Sequence, residues 1–319
     1  MTLGEFDIIA RYFAGHDRGR DVLLGVGDDA AVLDVRVGHK LVVAMDTIVE
    51  GVHFPAEAAA EDIGYRALAV NLSDLAAMGA EPAWMTLSLS LPQPEEAWLS
   101  GFAAGLFEAA ERHEVSLVGG DIVRGPLVAT VQVAGWVEAD AWLTRSGAKP
   151  GDMLMVSGVP GEAAGGLAAI QKAISNPEAT ALRERFLRPQ PRVSLGRRLR
   201  TIAHAAMDVS DGLIADLEKL CTASGCAARL DVGRLPQSAP MRKLFDERTC
   251  LECALTGGDD YELIFAVPPE QVAALTNDAE ADVPLTVIGQ FVEGQGVQCL
   301  RDGRPWRLER SGYDHFAAG

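Results

Sequence analysis

A helical pattern that runs directly into a strand pattern is the feature that most limits how this chain folds. Between Glu61 and Gly79 the apolar residues recur at helical spacing, as Ile63, Ala67, Leu68, Leu72, Leu75 and Met78. A few residues later the segment WMTLSLSL, at 84–91, alternates strictly between apolar and polar side chains. A period near 3.6 predicts an amphipathic helix, and a period of two predicts a half-buried strand. The sequence therefore predicts a mixed α/β (α+β) architecture.

Strand and helix patterns also alternate on both sides of a polar segment at 138–152. That segment, EADAWLTRSGAKPGD, contains glycine and proline, which favour a break in regular structure. The chain has 319 residues, which is long for one hydrophobic core and sufficient for two domains. We therefore predict an N-terminal domain over residues 1–140 and a C-terminal domain over residues 148–319. Each is expected to be a β-sheet layer packed by helices.

In the second half, glycine-rich or acidic turns lead into helical patterns. The N–H groups of SGVPGEAAGGL either cradle a phosphate or belong to a turn whose glycines permit tight packing, and the sequence favours neither. Two further helices are predicted at about 178–187 and 192–206. MDVSDGL leads into another helix, with Ser210 or Asp211 as its N-cap and Gly225 at its end.

The charge balance and the cysteines limit the class of partner and the compartment. Lysine and arginine are outnumbered 28 to 45 by aspartate and glutamate, and the formal net charge is −17. A nucleic-acid partner is not expected, because such a protein needs a basic face. No apolar run approaches the roughly 18 residues that span a bilayer, and the N-terminus lacks the basic region of a signal peptide. All five cysteines lie after position 220, which favours a reducing cytoplasm.

Aspartates beside glycines, in turns, at strand ends or at helix starts, are the candidate functional residues. They are Asp28, Asp29, Asp46, Asp74, Asp121, Asp208, Asp211, Asp259 and Asp260. Any one of them is explained as an ordinary turn residue, because aspartate bonds its own backbone. If several converge in space, their repulsion requires a cation among them. Carboxylates together with phosphate oxygens suit Mg²⁺, so the set as a whole predicts Mg²⁺–phosphate chemistry.

Other catalytic signatures are absent from the sequence. There is no Gly-x-x-x-x-Gly-Lys-[Ser/Thr] loop, no dinucleotide fingerprint after a strand, no nucleophile elbow and no HExxH. Cys250 and Cys253 form a C-x₂-C pair without the second pair of a zinc site, so the cysteines are interpreted as structural. His53 beside apolar residues is more often structural than catalytic. Arg145 and Lys149 fit either a phosphate clamp or ordinary linker charges.

In combination these motifs resemble the thiamine-monophosphate kinase family. Nine segments occur in the same order as in that family and together span nearly the whole chain. They are GEFDIIARYF, GVGDDAAVL, MDTIVEGVHF, NLSDLAAMGAEP, LVGGDIVRG, TRSGAKPGD, MDVSDGL, GGDDYELIFAV and GYDHF. The resemblance implies an enzyme of the aminoimidazole ribonucleotide synthetase superfamily. It implies that ATP phosphorylates thiamine monophosphate to thiamine diphosphate with several Mg²⁺ ions, and that the N-terminal sheets of two subunits pair in a homodimer.

The resemblance also implies roles for individual residues. The implied metal ligands are Asp28, Asp29, Asp46, Asp74, Asp121, Asp208 and Asp211. The implied ATP contacts are Gly120, Asp121, Arg145 and Ser210, and the implied contacts with thiamine monophosphate are His53, Asp259 and Tyr313. Because the acceptor phosphate, with a second pKa near 6, is already anionic at pH 7, direct in-line transfer without a general base is expected.

Three positions depart from the family's usual pattern. Ala44-Met45 stands where a hydroxyl residue often precedes Asp46, Asp259 replaces a glutamate, and Arg310 replaces a tryptophan found in some relatives. Sister enzymes of the superfamily remain an alternative, although no cysteine precedes Cys221 as selenophosphate synthetase requires, and the C-terminal HFAAG lacks the cysteine of the hydrogenase-maturation relative. A catalytically inactive protein that binds Mg²⁺ or nucleotide is the second alternative. Turnover of ATP with thiamine monophosphate, compared with thiamine, separates these alternatives.

Overall fold

The computed structural model describes residues 4–17, 19–277 and 282–306. Tyr313, an implied contact with thiamine monophosphate, and Arg310, which replaces the tryptophan of some relatives, lie outside the described residues. In the part of the chain that the structure describes, no helix has both the length and the apolar character needed to cross a membrane. The chain divides into two compact units, Met1–Leu75 with Ala80–Ala141, and Ala76–Gly79 with Trp142–Gly319.

The first unit contains a sheet of four strands among its described residues. The strands are β3 (His39–Val49), β4 (Glu81–Leu91), β5 (Ser116–Arg124) and β6 (Val128–Glu138). Their order is β3-β6-β4-β5, and only β4 and β5 run parallel. The other elements are α1 (Glu5–Ile8), a π-helical turn (Ile9–Phe13), β1 (Val22–Leu24), β2 (Val32–Leu33), α2 (Ala60–Ala77) and α3 (Glu96–Arg112). The predicted helix before the WMTLSLSL strand is therefore confirmed.

Helices α2 and α3 pack so closely that glycine is required on each of them. A Cβ atom on Gly64 would overlap the carbonyl oxygen of Phe102, and one on Gly105 would overlap that of Glu61. Because both obstacles are backbone atoms, a larger side chain can be accommodated only if the two helices separate. The packing of this unit thus depends on residue size at two positions.

We expect Gly105→Ala to lower the free energy of unfolding by about 2–3 kcal/mol, since an overpacked core forces the backbone to shift. Chemical denaturation followed by circular dichroism measures the change. Gly101→Ala in the same helix is the control, because its Cβ would lie 3.2 Å from the Cβ of Ala60 and the gain in helix propensity offsets the contact. Equal stability of the two variants would contradict the packing described here.

One face of β3 exposes apolar side chains. Leu41, Val43 and Met45 alternate along the strand and are 50%, 51% and 64% exposed. On the neighbouring strand β6 they stand opposite Trp136, Ala134 and Gln132. An apolar strip of this kind on a sheet is characteristic of an interaction surface.

The second unit contains a larger, mostly antiparallel sheet, with seven strands in its described residues. They are β7 (Met153–Ser157), β8 (Ala205–Asp208), β9 (Ala227–Asp231), β10 (Leu263–Val267), β11 (Leu285–Val292), β12 (Gly296–Arg301) and β13 (Arg304–Pro305). Their order is β13-β12-β9-β11-β7-β10-β8. The helices are α4 (Glu162–Gln171), α5 (Pro177–Leu187), α6 (Val193–Leu199), α7 (Leu213–Ser224), α8 (Ala239–Leu244), α9 (Glu247–Thr256) and α10 (Val272–Thr276), with 3₁₀ turns at Val232–Arg234 and Pro269–Gln271. The predicted class, with a sheet and helices in each half, is confirmed.

Two local predictions in this unit are wrong. The helix expected at 192–206 ends at Leu199, because residues 205–208 pair with β10 as strand β8. Helix α7 is not capped by Ser210 or Asp211, because its N-cap is Gly212, in an extended conformation at φ 125° that favours glycine. The predicted end of this helix is confirmed, since Gly225 adopts the left-handed conformation with φ 67°.

Candidate functional site

A cavity of about 450 Å³ in the first unit brings four predicted site residues together. Asp28, Asp29, Gly120 and Asp121 line it. Most of the remaining wall is apolar, and Glu5 adds a further carboxylate; the main apolar side chains are Phe6, Ile9, Phe13, Leu87, Leu117, Val118 and Ile122. The cavity therefore combines carboxylates with an apolar surface, as ligand sites commonly do.

One turn and one strand place the acids at this cavity. Asp28 and Asp29 lie in the turn between the short antiparallel strands β1 and β2, which GVGDDAAVL predicted, and the N–H of Asp29 donates to Asp28 Oδ1 at 2.8 Å. Gly120 and Asp121 lie on β5, beside Leu87 and Ser88 of β4. A Cβ atom on Gly120 would overlap the carbonyl oxygen of Leu87, so only glycine allows this strand pairing. The glycine beside each acid thus serves the fold that presents the acid.

The other predicted residues of the first unit lie on β3, on α2 and in the turn after β3. Asp46 is exposed on β3, and its N–H donates to Asn71 Oδ1 of α2 at 2.7 Å. Asp74 follows three residues after Asn71 and is half-buried. The ring of His53 accepts the N–H of Val49 on Nδ1 at 3.1 Å, which places the proton of the neutral ring on Nε2. Among described residues, the lining of the cavity includes none of Asp46, Asp74 and His53.

In the second unit the DVSDGL and GGDDYEL motifs lie side by side. Asp208 pairs with Leu263 at the end of the β8–β10 ladder. Beyond it, the N–H of Asp259 donates to the Ser210 carbonyl at 2.8 Å and the N–H of Tyr261 donates to the Val209 carbonyl at 2.9 Å. A Cβ atom on Gly258 would overlap the same Ser210 carbonyl oxygen. The structure thus places the two motifs, with Asp208, Ser210, Asp211 and Asp259, next to each other in space.

Asp216, which the sequence analysis missed, organises the turn before α7. Its Oδ2 atom accepts the N–H groups of Ser210, Asp211 and Gly212 at 2.9, 2.9 and 3.2 Å, and Lys219 donates to Oδ1 at 2.8 Å. Burial raises the pKa of Asp216, and the ion pair with Lys219 opposes the shift. The N–H groups at this helix start, which could otherwise bind an external anion, are therefore occupied by the protein's own carboxylate. Lys219 also pairs with the carboxylate of Asp211.

The contacts of Asp260 decide between the two interpretations of SGVPGEAAGGL, a phosphate cradle and a tightly packed turn. Its fully buried carboxylate accepts the N–H groups of Gly161 at 2.6 Å and Ala163 at 3.1 Å, at the start of α4. A Cβ atom on Gly166 would overlap the Leu182 carbonyl oxygen. Burial raises the pKa of Asp260 well above its usual value, although both N–H groups favour the charged form. The glycines of this turn serve packing, and Asp260 caps a helix.

Glu262 forms the centre of a buried ionic cluster behind the same motif. Arg192 donates to both of its oxygens, at 2.7 and 2.5 Å, and Arg185 donates at 2.7 Å. Ser157 Oγ donates at 2.5 Å and itself accepts the N–H of Leu263 at 2.9 Å. Although burial opposes ionisation, the arginines hold the pKa of Glu262 below its usual value. The GGDDYEL motif therefore contains two structural carboxylates, Asp260 and Glu262, beside the candidate Asp259.

The remaining candidates are less constrained by their surroundings. Arg145 is exposed, and its carbonyl accepts the hydroxyl of Ser224 at 3.1 Å, which fixes the start of the TRSGAKPGD loop. Burial raises the pKa of Cys221 to about 12 and that of Cys253 to about 11, so both are neutral thiols at pH 7. These values support the structural interpretation of the cysteines.

Within the described ranges, no group of three or more His, Cys, Asp or Glu side chains is arranged to hold a metal ion.

Comparison with known proteins gives matches over most of the chain. Residues 27–137 match the family described as AIR synthase related protein, N-terminal domain, and residues 149–301 match AIR synthase related protein, C-terminal domain. A thiamine-monophosphate kinase from Salmonella typhimurium is 47% identical, with 99% of each chain covered. The crystal structure of a thiamine-monophosphate kinase from Stenotrophomonas maltophilia is 48% identical with a TM-score of 0.85, and the match covers 93% of this chain and 95% of that one. The structure of AaThiL complexed with AMPPCP and TMP is 33% identical with a TM-score of 0.79, covering 91% and 92%.

Proposed function

Because the chain belongs to the thiamine-monophosphate kinase family, we propose that it transfers the γ-phosphoryl group of ATP to thiamine monophosphate, giving thiamine diphosphate and ADP. The observation that carries the proposal is the cavity of the first unit, where Asp28, Asp29 and Asp121 face an apolar wall. An apolar wall suits a purine, and carboxylates suit the cations that accompany its phosphates. The similarity to AaThiL complexed with AMPPCP and TMP supports the same two substrates for this chain.

The donor set of this cavity fits Mg²⁺. Mg²⁺ is commonly held by one or two carboxylates together with substrate phosphates, and it keeps several waters. That requirement agrees with Asp28, Asp29 and Asp121, three of the carboxylates in the cavity lining, which do not form a protein-only metal cage among the described residues. When bound there, Mg²⁺ would neutralise phosphate charge. We assign Asp28, Asp29 and Asp121 to this role, with Asp46, Asp74, Asp208 and Asp211 as the further ligands that the family resemblance implies.

The protein's own contribution to the reaction is the placement of two anionic substrates. Gly120 lines the cavity beside Asp121, and we assign Gly120, Arg145 and Ser210 to contacts with ATP. His53 and Asp259 are assigned to thiamine monophosphate. The acceptor phosphate is already mostly ionised at pH 7, so direct in-line transfer needs no general base.

We propose further that the protein is a cytoplasmic homodimer. The exposed strip of Leu41, Val43 and Met45 supports a dimer in which the sheets of the first units pair, because burial of such a strip stabilises association. Cysteines without disulfide bonds and a reaction that consumes ATP support the cytoplasm as its location.

The test is steady-state turnover of MgATP with thiamine monophosphate and, separately, with thiamine. We expect ADP and thiamine diphosphate in equal amounts with the monophosphate. We expect no product with thiamine, because it lacks the ionised phosphate that serves as the nucleophile in this reaction. Absence of thiamine diphosphate at millimolar Mg²⁺ would instead favour the non-catalytic alternative, and it would count against the proposal.

A further inference from the structure

A single hydroxyl contact in the GGDDYEL motif connects a buried tyrosine to the carboxylate assigned to the acceptor substrate. The hydroxyl of Tyr261 donates to Asp259 Oδ1 at 3.2 Å. Tyr261 is only 8% exposed, whereas Asp259 is half-buried and faces a less enclosed environment. The buried side chain of Tyr261 therefore holds the side chain of Asp259, which is more accessible to solvent.

The backbone around this contact is fixed from two sides. On its inner side, Asp260 and Glu262 are fully buried and held by the helix start at Gly161 and by Arg192. On its other side, the N–H groups of Asp259 and Tyr261 donate to the DVSDGL strand. The loop therefore has little freedom to relax when one side chain changes.

Asp259 and Tyr261 both adopt left-handed backbone conformations, with φ of 69° and 51°. Residues with a Cβ atom seldom adopt such angles, and they persist only where the surrounding structure holds them. Here the two turns bring residues 259 and 261 to the same side of the loop, so that the tyrosine hydroxyl reaches the carboxylate two residues before it. The loop thus orients the Asp259 carboxylate by adopting uncommon backbone angles at residues 259 and 261.

We propose that Tyr261 is a positioning residue that orients the Asp259 carboxylate toward the cationic thiazolium ring of the acceptor. This inference rests on the proposed function, because it assumes that the acceptor is thiamine monophosphate. A carboxylate is the natural partner of a permanent organic cation, and a fixed orientation reduces the entropy lost when the cation binds. Asp259 then determines affinity for the acceptor, and Tyr261 acts through Asp259 without touching the substrate.

The experiment compares Tyr261→Phe, Asp259→Asn and the double variant in the full-length protein. Tyr261→Phe removes only the hydroxyl and keeps the buried ring. We expect its KM for thiamine monophosphate to rise about 5- to 20-fold, with the KM for ATP and kcat within about twofold of wild type. Asp259→Asn should give a loss at least as large, and the double variant should be no worse than Asp259→Asn alone.

Two further measurements distinguish a positioning role of Tyr261 from a merely structural role, and distinguish failure of this inference from failure of the proposed function. Tyr65→Phe is the matched control, because it removes another buried tyrosine hydroxyl, which accepts a hydrogen bond from Arg112 at 3.1 Å in the first unit. It should change neither KM selectively. Calorimetric binding of thiamine monophosphate to wild type and Tyr261→Phe needs no turnover, and we expect the same 5- to 20-fold weakening.

Several results would overturn the inference. They are equal rises in both KM values, unchanged affinity in Tyr261→Phe, or losses in Tyr261→Phe and Asp259→Asn that multiply in the double variant. A wild-type protein that makes thiamine diphosphate while Tyr261→Phe behaves identically would refute the role of Tyr261 and leave the proposed function intact. A wild-type protein that neither turns over nor binds thiamine monophosphate would refute the proposed function itself.

Discussion

Asp121→Asn should lower kcat for phosphorylation of thiamine monophosphate by at least about a hundredfold. Asp121 lies on β5 beside Gly120 and lines the same cavity as Asp28 and Asp29. Asparagine keeps the shape but removes the negative charge that attracts a divalent cation and its phosphates. The loss of one electrostatic partner of a transferring group commonly costs about a hundredfold to a thousandfold in rate.

The fold should survive this substitution. Asp121 is exposed, and the β4–β5 register that places it is made by backbone atoms. The unfolding midpoint should therefore stay close to that of wild type, while calorimetry should show weaker binding of Mg²⁺ with the ATP analogue AMPPCP.

Asp140→Asn is the matched control for Asp121→Asn. It changes an exposed aspartate of the same unit whose left-handed backbone, at φ 64°, asparagine tolerates. This control should retain normal turnover. Near-normal kcat and normal binding of the Mg²⁺ complex in Asp121→Asn would contradict the role assigned to the cavity.

Arg192→Ala should destabilise the second unit by about 3–5 kcal/mol. Arg192 donates two hydrogen bonds to Glu262, and neither side chain has appreciable contact with water. Removing Arg192 leaves the buried Glu262 carboxylate with the weaker compensation of Arg185, and this costs far more than loss of a surface pair. Urea denaturation followed by circular dichroism measures the change. Arg248→Ala is the control, because its i,i+4 pair with Glu252 is exposed and should contribute no more than about 0.5 kcal/mol.

The pH dependence of this destabilisation has a definite sign. The pKa of folded Glu262 lies below its usual value of 4.5, so the cluster stabilises the fold most fully above that value. Its contribution is lost as the pH falls from 4.5 through the lower folded pKa. The stability difference between wild type and Arg192→Ala should therefore be largest near neutral pH and should shrink in acid. A difference that grows in acid would contradict the ionic account of the cluster.

Local sequence signals predicted those elements whose conformation is decided locally. The helix predicted at about 178–187 is observed as α5, and the predicted end of α7 at Gly225 is observed because a left-handed glycine closes a helix without a distant partner. The helix expected at 192–206 failed for the opposite reason. Residues 205–208 leave the helical pattern because β10 supplies hydrogen bonds to them, and that partner lies more than 50 residues away in the chain.

The aspartates show the same limit for the functional site. The sequence groups these aspartates by the glycines next to them or two residues away, as at Asp28, Asp121 and Asp260. Only tertiary contacts distinguish the first two, which line a cavity, from Asp260, which caps α4. Asp216 was overlooked because it sits within a helical pattern. Its position in the first turn of α7 was the one available signal, since acids there bond to preceding N–H groups.

The most direct test of the central claim is a crystal structure of this chain with AMPPCP and Mn²⁺ in place of Mg²⁺, with Mn²⁺ located by its anomalous scattering. We predict anomalous peaks next to the carboxylates of Asp28, Asp29 and Asp121, with the phosphates of the nucleotide beside Gly120. Nucleotide and Mn²⁺ bound elsewhere, with these three carboxylates contacting neither, would contradict the account.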